Sequence, residues 1–357
     1  MPNIWYKIIR LYLIFSLHAY FKKITAVGQE NIPKNKPVLF VSNHRNGLID
    51  PILIGITSKR VHHFLTRASA FKNPIADFFL KSLKMIPIYR VRDGLKTIKK
   101  NEEIFEICYD IFDRKENIVI FPEGNHGLPR RVRRLSKGFT RIVFGYFEKY
   151  KKDDLLLVPI GLNYSNMQEK GSSVTVYYGK PILAFDYYNP KNEKEAIDSL
   201  KNKIKDSLKE LTTHIDDVAN HKKIEAVLTS KEINFLDPVK ANKAIAQQDN
   251  WEVETSFKKK KNNLYQIIIR FIFRINTFIP ILLWHKLKHK SNDFVLIPTF
   301  EFGISSGLMP LVYAIQALVL GVLTTTIWGY VYFFTSVLLV YLYKNSIQTD
   351  SLTTYPS

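Results

Sequence analysis

The sequence predicts an α/β fold: a layered sheet with flanking helices, an N-terminal interfacial helix and C-terminal membrane helices. Strand-like and helix-like segments alternate from residue 24 to residue 182, which is typical of α/β layers with a largely parallel or mixed sheet. Two polar motifs directly follow short apolar runs, as they would at the ends of buried strands. No charged residue lies between Glu301 and Lys344, and so long an apolar stretch fits a two-helix membrane hairpin.

The amino-acid composition limits the kinds of molecule that the protein can be expected to bind. The 357 residues allow one ordinary domain plus a substantial appendage, and 52 Lys and Arg against 32 Asp and Glu give a net charge of +20. Such a charge indicates nucleic acid or an anionic bilayer. Aromatic residues at 13% and the long apolar runs favour membrane lipids, so we expect no nucleic-acid partner. The single cysteine, Cys108, excludes an internal disulfide and a cysteine-based metal cluster, and we expect no bound metal or cofactor.

Residues 1–23 are predicted to form a helix at the membrane interface. Their apolar residues nearly encircle a helix, and aromatic residues and flanking lysines suit the lipid headgroup layer. The alternative is an ordinary amphipathic helix packed on the domain. We expect no cleavable signal, because Lys7 and Arg10 interrupt the apolar run early and no small-residue cleavage site follows.

Residues 24–218 are predicted to form the α/β domain. The expected strands lie near residues 24–28, 37–42, 61–66, 85–91, 117–121, 155–162 and 173–179. The expected helices lie near residues 48–57, 73–83, 94–113, 135–150 and 192–217. Residues 219–263 are interpreted as a helical and linker segment, because apolar periodicity fades from Asp237 to Asn263 and four lysines follow one another at 258–261.

Residues 264–345 are predicted to associate with the membrane, and residues 346–357 form a tail. Arg270 and Arg274 lie one helical turn apart in the first apolar stretch, which favours a surface or re-entrant helix over residues 264–285. The hairpin of residues 301–344 should turn near residues 324–329. Basic residues flank the apolar segments, and this predicts that the α/β domain lies on the cytoplasmic side.

The first polar motif surrounds His44. The apolar run at residues 37–42 delivers Asn43 and His44 to the end of a strand, and Asp50 follows six positions after His44. On a regular helix six positions rotate a side chain by about 240°, so contact with Asp50 requires a loop or a distorted first turn, which Gly47 eases. A carboxylate on one imidazole nitrogen leaves the other nitrogen as a base. The alternative is a turn histidine and a helix-capping aspartate.

The second motif, FPEGNHG, follows another apolar run and supplies the carboxylate of Glu123 and the turn at Gly124. Four arginines follow within five residues and form a candidate phosphate-binding cluster: Arg130, Arg131, Arg133 and Arg134. The alternative is a basic loop that contacts lipid headgroups.

Two shorter patterns complete the set. Arg90 and Arg92 follow a strand and, being two positions apart, face the same way, so their guanidinium groups suit a phosphomonoester. They could equally be a surface pair at a strand end. Pro159 interrupts an apolar strand, which indicates a sheet edge, a bulge or a functional site.

These four motifs, in this order over residues 24–182, resemble the phospholipid/glycerol acyltransferase family, whose members include glycerol-3-phosphate and 1-acylglycerol-3-phosphate acyltransferases. The resemblance implies that His44 is the general base and Asp50 its orienting partner. It also implies that Arg90, helped by Arg92, binds the acceptor phosphate. The family usually has four residues between the histidine and the aspartate. The five residues here resemble the yeast-type glycerol-3-phosphate acyltransferase branch and related bacterial proteins.

The resemblance extends to the remaining site residues and to the reaction. Glu123 and Gly124 would position the acceptor, and Pro159 would lie near the acyl donor. Independently of the resemblance, the charge of the arginine cluster predicts that Arg130 and Arg131 help to hold the acceptor phosphate and the acidic donor carrier. The FPEG motif departs from the family pattern in continuing with Asn125 and His126. Family enzymes transfer a fatty acyl group from acyl-CoA or an acyl carrier protein to a hydroxyl of glycerol 3-phosphate or its 1-acyl form, in phospholipid biosynthesis. Both donors and both acceptors remain open.

Two other interpretations follow from the sequence. A catalytically silent membrane scaffold that retains the acyltransferase fold would be consistent with the altered His–Asp spacing. Gly303, Ser305 and Gly307 match the G-x-S-x-G elbow of hydrolases, but no strand–helix pair surrounds them and an apolar hairpin follows at once. We expect these small residues to let helices approach closely.

Overall fold

The computed structural model describes residues 4–89, 100–247, 263–290 and 297–347. Its strands are β1 (Lys23–Val27), β2 (Val38–Ser42), β3 (His62–Arg67), β4 (Met85–Ile88), β5 (Asn117–Ile120), β6 (Leu156–Tyr164), β7 (Ser173–Tyr178) and β8 (Ile182–Leu183). The helices of the first 247 residues are α1 (Ile4–Tyr20), α2 (Ile49–Thr57), α3 (Pro74–Ser82), α4 (Asn101–Asp113), α5 (Gly138–Tyr150), α6 (Glu193–Leu211), α7 (His221–Ser230) and α8 (Pro238–Ala246). The C-terminal helices are α9 (Leu264–Asn276), α10 (Phe278–Lys290), α11 (Ile297–Leu323) and α12 (Thr326–Ser346).

The strands form one mixed sheet in the order β1-β7-β6-β2-β5-β3-β4, with β8 also paired to β6. Strand β2 lies between β5 and β6 and is parallel to both, whereas β7 and β8 are antiparallel to β6. All five residues of β2 are buried, which is why its sequence is a continuous apolar run rather than an alternating one. The fold class predicted from the sequence is confirmed.

Helices cover both faces of this sheet. Leu39 and Val41 of β2 pack with α4, α5 and α6 on one face, and Val38 and Phe40 pack with α1 and α2 on the other. Cys108 of α4 is a fully buried core residue, and burial raises the pKa of its thiol to about 12. The thiol is therefore protonated and unsuited to nucleophilic attack.

The interpretation of residues 237–263 as a linker is wrong where α8 forms. The Asp237 carboxylate accepts a hydrogen bond from the backbone N–H of Lys240 at 3.2 Å, and Pro238 occupies the first turn. An Asp–Pro start specifies a short helix even where apolar periodicity is weak. Weak periodicity was the basis of the linker interpretation. The four-lysine run lies outside the described residues. The two-residue strand β8 was not predicted.

The C-terminal helices include two, α11 and α12, that are long and apolar enough to cross a membrane by length and composition. They meet at Thr324 and Thr325, within the predicted turn, and pack closely near that end. A Cβ on Gly329 would lie 2.6 Å from the carbonyl oxygen of Ala317 on α11. Residues 264–285, expected to form a surface or re-entrant helix rather than a clean span, form two helices, α9 and α10, with a bend of 86° between them. Such a bend is the geometry of a broken span or a re-entrant segment.

The beginning of α11 is built into the α/β domain. Phe302 is buried in the core beneath α1. Its ring packs edge to face against the ring of Tyr20, with ring centroids 5.5 Å apart. The Tyr20 hydroxyl donates to Glu301 Oε2 at 3.2 Å. Lys170 is buried beside Glu301, and its Nζ lies 3.5 Å from Ser305 Oγ. The domain and the first candidate membrane span therefore share one core.

Candidate active site

His44 and Asp50 meet at the end of β2. The loop after the strand turns back before α2 begins at Ile49, and this brings His44 Nδ1 to 2.9 Å from Asp50 Oδ2. The side chain of His44 is 13% exposed and that of Asp50 is fully buried. The structure therefore brings the two residues together through the non-helical connection that their spacing requires. Their catalytic roles stay predictions.

The Asp50 carboxylate is held by further donors from this loop and from β6. Oδ2 accepts the backbone N–H groups of Arg45 at 2.6 Å and Asn46 at 2.8 Å. Oδ1 accepts the hydroxyl of Tyr164. Burial and the adjacent Asp50 carboxylate raise the pKa of Tyr164 well above its usual value, so Tyr164 keeps its proton and donates. These donors fix the carboxylate in the orientation that receives His44.

Asn46 explains how five residues fit between His44 and Asp50. Its side-chain oxygen accepts hydrogen bonds from the backbone N–H groups of Leu48 at 3.0 Å and Ile49 at 2.9 Å. It therefore satisfies donors at the start of α2 in the manner of an N-cap. The same oxygen accepts the hydroxyl of Thr299 at 2.9 Å, so α11 contacts the loop directly.

Two aromatic rings and one glycine shape the surroundings of His44. Its imidazole stacks on Phe121 with ring centroids 4.1 Å apart, and the ring of His126 lies 5.6 Å away, edge to face. A Cβ on Gly47 would lie 3.0 Å from Cδ2 of His126, so the close approach of this ring depends on glycine. Because Nδ1 is occupied by Asp50, Nε2 is the nitrogen left to exchange a proton with a substrate.

The FPEG loop lies beside His44, as its position in the sequence predicts. The side chain of Glu123 is 2% exposed and pairs with Arg133, whose Nε lies 2.6 Å from Oε2. Burial raises the pKa of Glu123, and the charge of Arg133 opposes that shift. Nη2 of Arg133 also donates to the carbonyl oxygen of His44 at 3.4 Å. Gly124 is exposed at φ +73°, a turn conformation that favours glycine.

The prediction that Arg130 is a phosphate ligand is wrong. Its guanidinium is buried, with Nε 2.7 Å from Glu225 Oε1 and Nη1 2.7 Å from the carbonyl oxygen of Tyr164. Nη2 donates to the carbonyl of Ser165 at 2.9 Å, and the ring of Phe235 lies 3.9 Å from the guanidinium carbon. All three nitrogens bind protein groups, so Arg130 joins α7 to the end of β6. Arg131, the next residue, instead lines a cavity.

Pro159 lies within β6, in register with Val41 of the neighbouring β2. Antiparallel pairing changes from β8 to β7 at this point, since Leu157 pairs with β8 and Ile160 with β7. The Pro159 carbonyl accepts the N–H of Gly179 at 2.9 Å. Proline has no backbone N–H, and Pro159 lies where β6 changes its antiparallel partner from β8 to β7. This explains a proline in a strand that is not at the sheet edge. A contact with the acyl donor stays a prediction.

Arg90 and Arg92 lie outside the described residues, and their assignment to the acceptor phosphate stays a prediction. The motifs alone did not identify the roles of Asn46, Tyr164 and Thr299. Asn46 carried a signal, because an asparagine side chain often accepts backbone N–H groups two or three residues later in the chain, as in Asx turns.

Comparisons with known proteins agree with the motifs. The family model described as Acyltransferase matches residues 23–163. Glycerol-3-phosphate O-acyltransferase 1 of Saccharomyces cerevisiae is 23% identical over 296 residues, which cover 58% of this chain and 39% of that protein. Glycerol-3-phosphate O-acyltransferase 2 of the same yeast is 26% identical over 176 residues, which cover 46% of this chain and 22% of that protein. The chain thus spans well under half the length of either relative.

Among solved structures, the 1-acyl-sn-glycerophosphate (LPA) acyltransferase PlsC from Thermotoga maritima is similar over 56% of this chain and 78% of its own, with 17% identity and a TM-score of 0.40. The family match at residues 23–163 contains both polar motifs in the predicted order. These matches support the resemblance to the phospholipid/glycerol acyltransferase family over the residues that carry its motifs.

Proposed function

We propose that this chain is a membrane-associated O-acyltransferase. It transfers a fatty acyl group from a thioester to a hydroxyl of glycerol 3-phosphate or of 1-acyl-glycerol 3-phosphate. The observation that carries the proposal is the 2.9 Å contact between His44 and a buried, multiply hydrogen-bonded Asp50. Such a pair suits removal of a proton from an alcohol.

The reaction needs no protein nucleophile. His44 Nε2 accepts the proton of the acceptor hydroxyl while its oxygen attacks the thioester carbonyl carbon. Asp50 holds Nδ1–H and stabilises the imidazolium that forms. Collapse of the tetrahedral intermediate breaks the C–S bond, and the departing thiolate receives the proton from His44. General-base catalysis of this kind contributes about 10²–10⁴-fold in rate.

Membrane placement follows from α11 and α12. Their length and composition support attachment to a bilayer, and α11 contacts the loop between His44 and Asp50. A lipid product formed there can enter the bilayer without crossing water. The basic flanks of the apolar segments support placement of the α/β domain on the cytoplasmic face.

The alternative is a catalytically silent scaffold, for which the five-residue His–Asp spacing was the support. The contact between His44 and Asp50 forms despite that spacing, and this favours the enzyme.

Purified full-length protein in lipid, given labelled acyl thioesters and a panel of acceptors, tests the choice by mass spectrometry of the products. Transfer to glycerol 3-phosphate or its 1-acyl form supports the enzyme. No transfer to any acceptor from either donor would contradict it.

Arg90 gives a second test of the acceptor. We expect Arg90→Ala to raise the acceptor KM far more than the donor KM, since a guanidinium binds a phosphomonoester through paired hydrogen bonds. Lys36→Ala, at an exposed position before β2, is the control. An unchanged acceptor KM in Arg90→Ala would overturn the phosphate assignment.

A further inference from the structure

A basic cavity lies between the segment after the FPEG loop and helix α6. Its volume is about 250 Å³. Its charged and polar lining comprises Arg131, Arg133, Arg134, Lys201, Asn202, Lys205 and Asp216. Five cations and one carboxylate thus surround a space large enough for phosphate groups. The two lysines come from α6, outside the motifs that the sequence singled out.

The protein neutralises the positive charge of this cavity only in part. Arg133 pairs with Glu123, and Lys201 lies 3.5 Å from the half-exposed carboxylate of Asp198. The only carboxylate in the cavity lining, Asp216, already pairs with His214 at 2.8 Å and Lys209 at 3.0 Å. These two groups, His214 first, lower the pKa of Asp216 to about 2. Within the described parts of the chain, the side chains of Arg134 and Lys205 form no hydrogen bond or ion pair. Neighbouring like charges repel, and a bound anion would relieve that repulsion.

Arg133 connects the cavity to the candidate catalytic loop. It lines the cavity, pairs with Glu123 and donates to the carbonyl oxygen of His44 at 3.4 Å. A ligand whose phosphates occupy the cavity could therefore extend a flexible arm towards His44. The acyl donor needs such a shape, with anionic groups at one end and a thioester at the other.

We propose that the cavity binds the phosphate groups at the nucleotide end of a coenzyme A thioester, which makes acyl-CoA the donor. This inference rests on the proposed acyl transfer. Coenzyme A carries a 3′-phosphate and a diphosphate, and several anionic groups match the cluster of Arg131, Arg134, Lys201 and Lys205. The phosphopantetheine arm of a carrier protein brings one phosphate group to the cavity, whereas coenzyme A brings three.

Direct binding tests the proposal without turnover. Calorimetry on the full-length protein in detergent would compare coenzyme A, dephospho-coenzyme A and glycerol 3-phosphate. Flotation with vesicles containing an anionic lipid would measure headgroup binding. The variants are Arg134→Ala and Lys205→Ala, with Lys203→Ala as the matched control, because Lys203 is exposed on α6 and does not line the cavity.

We expect each cavity variant to weaken coenzyme A binding about tenfold, the usual loss for one charge-assisted hydrogen bond near a surface. Dephospho-coenzyme A should bind wild type more weakly, and Lys203→Ala should match wild type. Unchanged coenzyme A affinity in both cavity variants would overturn the proposal. So would a loss confined to glycerol 3-phosphate or to vesicles, which would assign the cavity to the acceptor or to lipid headgroups. Failure of acyl transfer itself would appear only in the separate product assay.

Discussion

The hydroxyl of Thr299 donates a hydrogen bond to the side-chain oxygen of Asn46 at 2.9 Å. Thr299 belongs to the first turn of α11, a candidate membrane span, and Asn46 belongs to the loop between His44 and Asp50. The same oxygen of Asn46 accepts the backbone N–H groups that begin α2. A candidate membrane span thus contributes directly to the conformation of the candidate catalytic loop.

Replacing Thr299 by valine should lower kcat about fivefold and leave both KM values unchanged, since the loop loses one hydrogen bond of about 1 kcal/mol while the binding groups stay in place. Steady-state kinetics in nanodiscs would measure this split. Thr335→Val is the matched control, because among the described residues the Thr335 hydroxyl bonds to carbonyls of its own helix α12 alone. Wild-type kcat in Thr299→Val would show that the contact does not position the loop.

Removal of the proposed base gives the strongest expected effect. His44→Ala should lower kcat by about 10²–10⁴-fold, the contribution typical of general-base catalysis. Its melting temperature and membrane extraction should match wild type, because the His44 side chain is partly exposed and makes one hydrogen bond within the part of the chain that the structure describes. His18→Ala, at an exposed position of α1, is the control. More than a tenth of wild-type kcat in His44→Ala would rule out His44 as the base.

Gly47 should not tolerate a side chain. In Gly47→Ala the new methyl group would lie 3.0 Å from the ring of His126, and relief of that contact must move His126 or the loop. We expect a several-fold fall in kcat and a loss of about 1–2 kcal/mol in the free energy of unfolding. Gly303→Ala is the control, since nothing lies within 4 Å of a Cβ there. Equal effects of the two substitutions in melting and kinetic assays would contradict this account.

His62 should make the fold sensitive to acid. Burial, reinforced by the charge of Arg60, lowers the pKa of His62 from 6.5 to about 3. Below pH 6.5 the unfolded chain binds a proton at this residue that the folded chain does not, so the free energy of unfolding falls as pH drops. The loss is about 1.4 kcal/mol per pH unit, and it continues towards pH 3.

His62→Phe should remove this loss, because the ring already lies among aromatic neighbours, 4.9 Å from Phe40 and 5.8 Å from Phe64. Thermal unfolding at pH 7.5 and pH 5 would measure a smaller decrease in the variant than in wild type. His18→Phe, at an exposed histidine, should follow wild type. A parallel decrease in His62→Phe and wild type would mean that His62 does not control the acid response.

The sequence predicts the central strands of the sheet because they are buried on both faces. The apolar residues of β2 and β5 form uninterrupted runs bounded by polar residues, and such runs are visible without knowledge of their partners. Strand β8 has two residues and is defined only by its pairing with β6, so it leaves no local pattern. Helix α8 begins at an Asp–Pro cap rather than with a periodic apolar face, and it was missed for that reason.

The candidate site likewise has a part that the sequence predicts and a part that requires the folded chain. His44 and Asp50 are close in sequence, so their contact depends only on the conformation of the short loop between them. The inward turn of Arg130 depends on Glu225, which lies 95 residues later. Nothing within a run of four arginines distinguishes the one that is buried from those that face a cavity. The bond from Thr299 to Asn46 spans 253 residues and likewise requires the folded chain.

The burial of Phe302 and the bond between Tyr20 and Glu301 limit how the protein can be shortened. A soluble fragment that ended before α9 would lose Phe302 from the core beneath α1 and the carboxylate beside Lys170. It would expose an apolar hollow and leave a buried ammonium group without its counter-charge. Purification schemes for this protein should therefore retain the C-terminal helices α9 to α12 and use detergent or nanodiscs from the start.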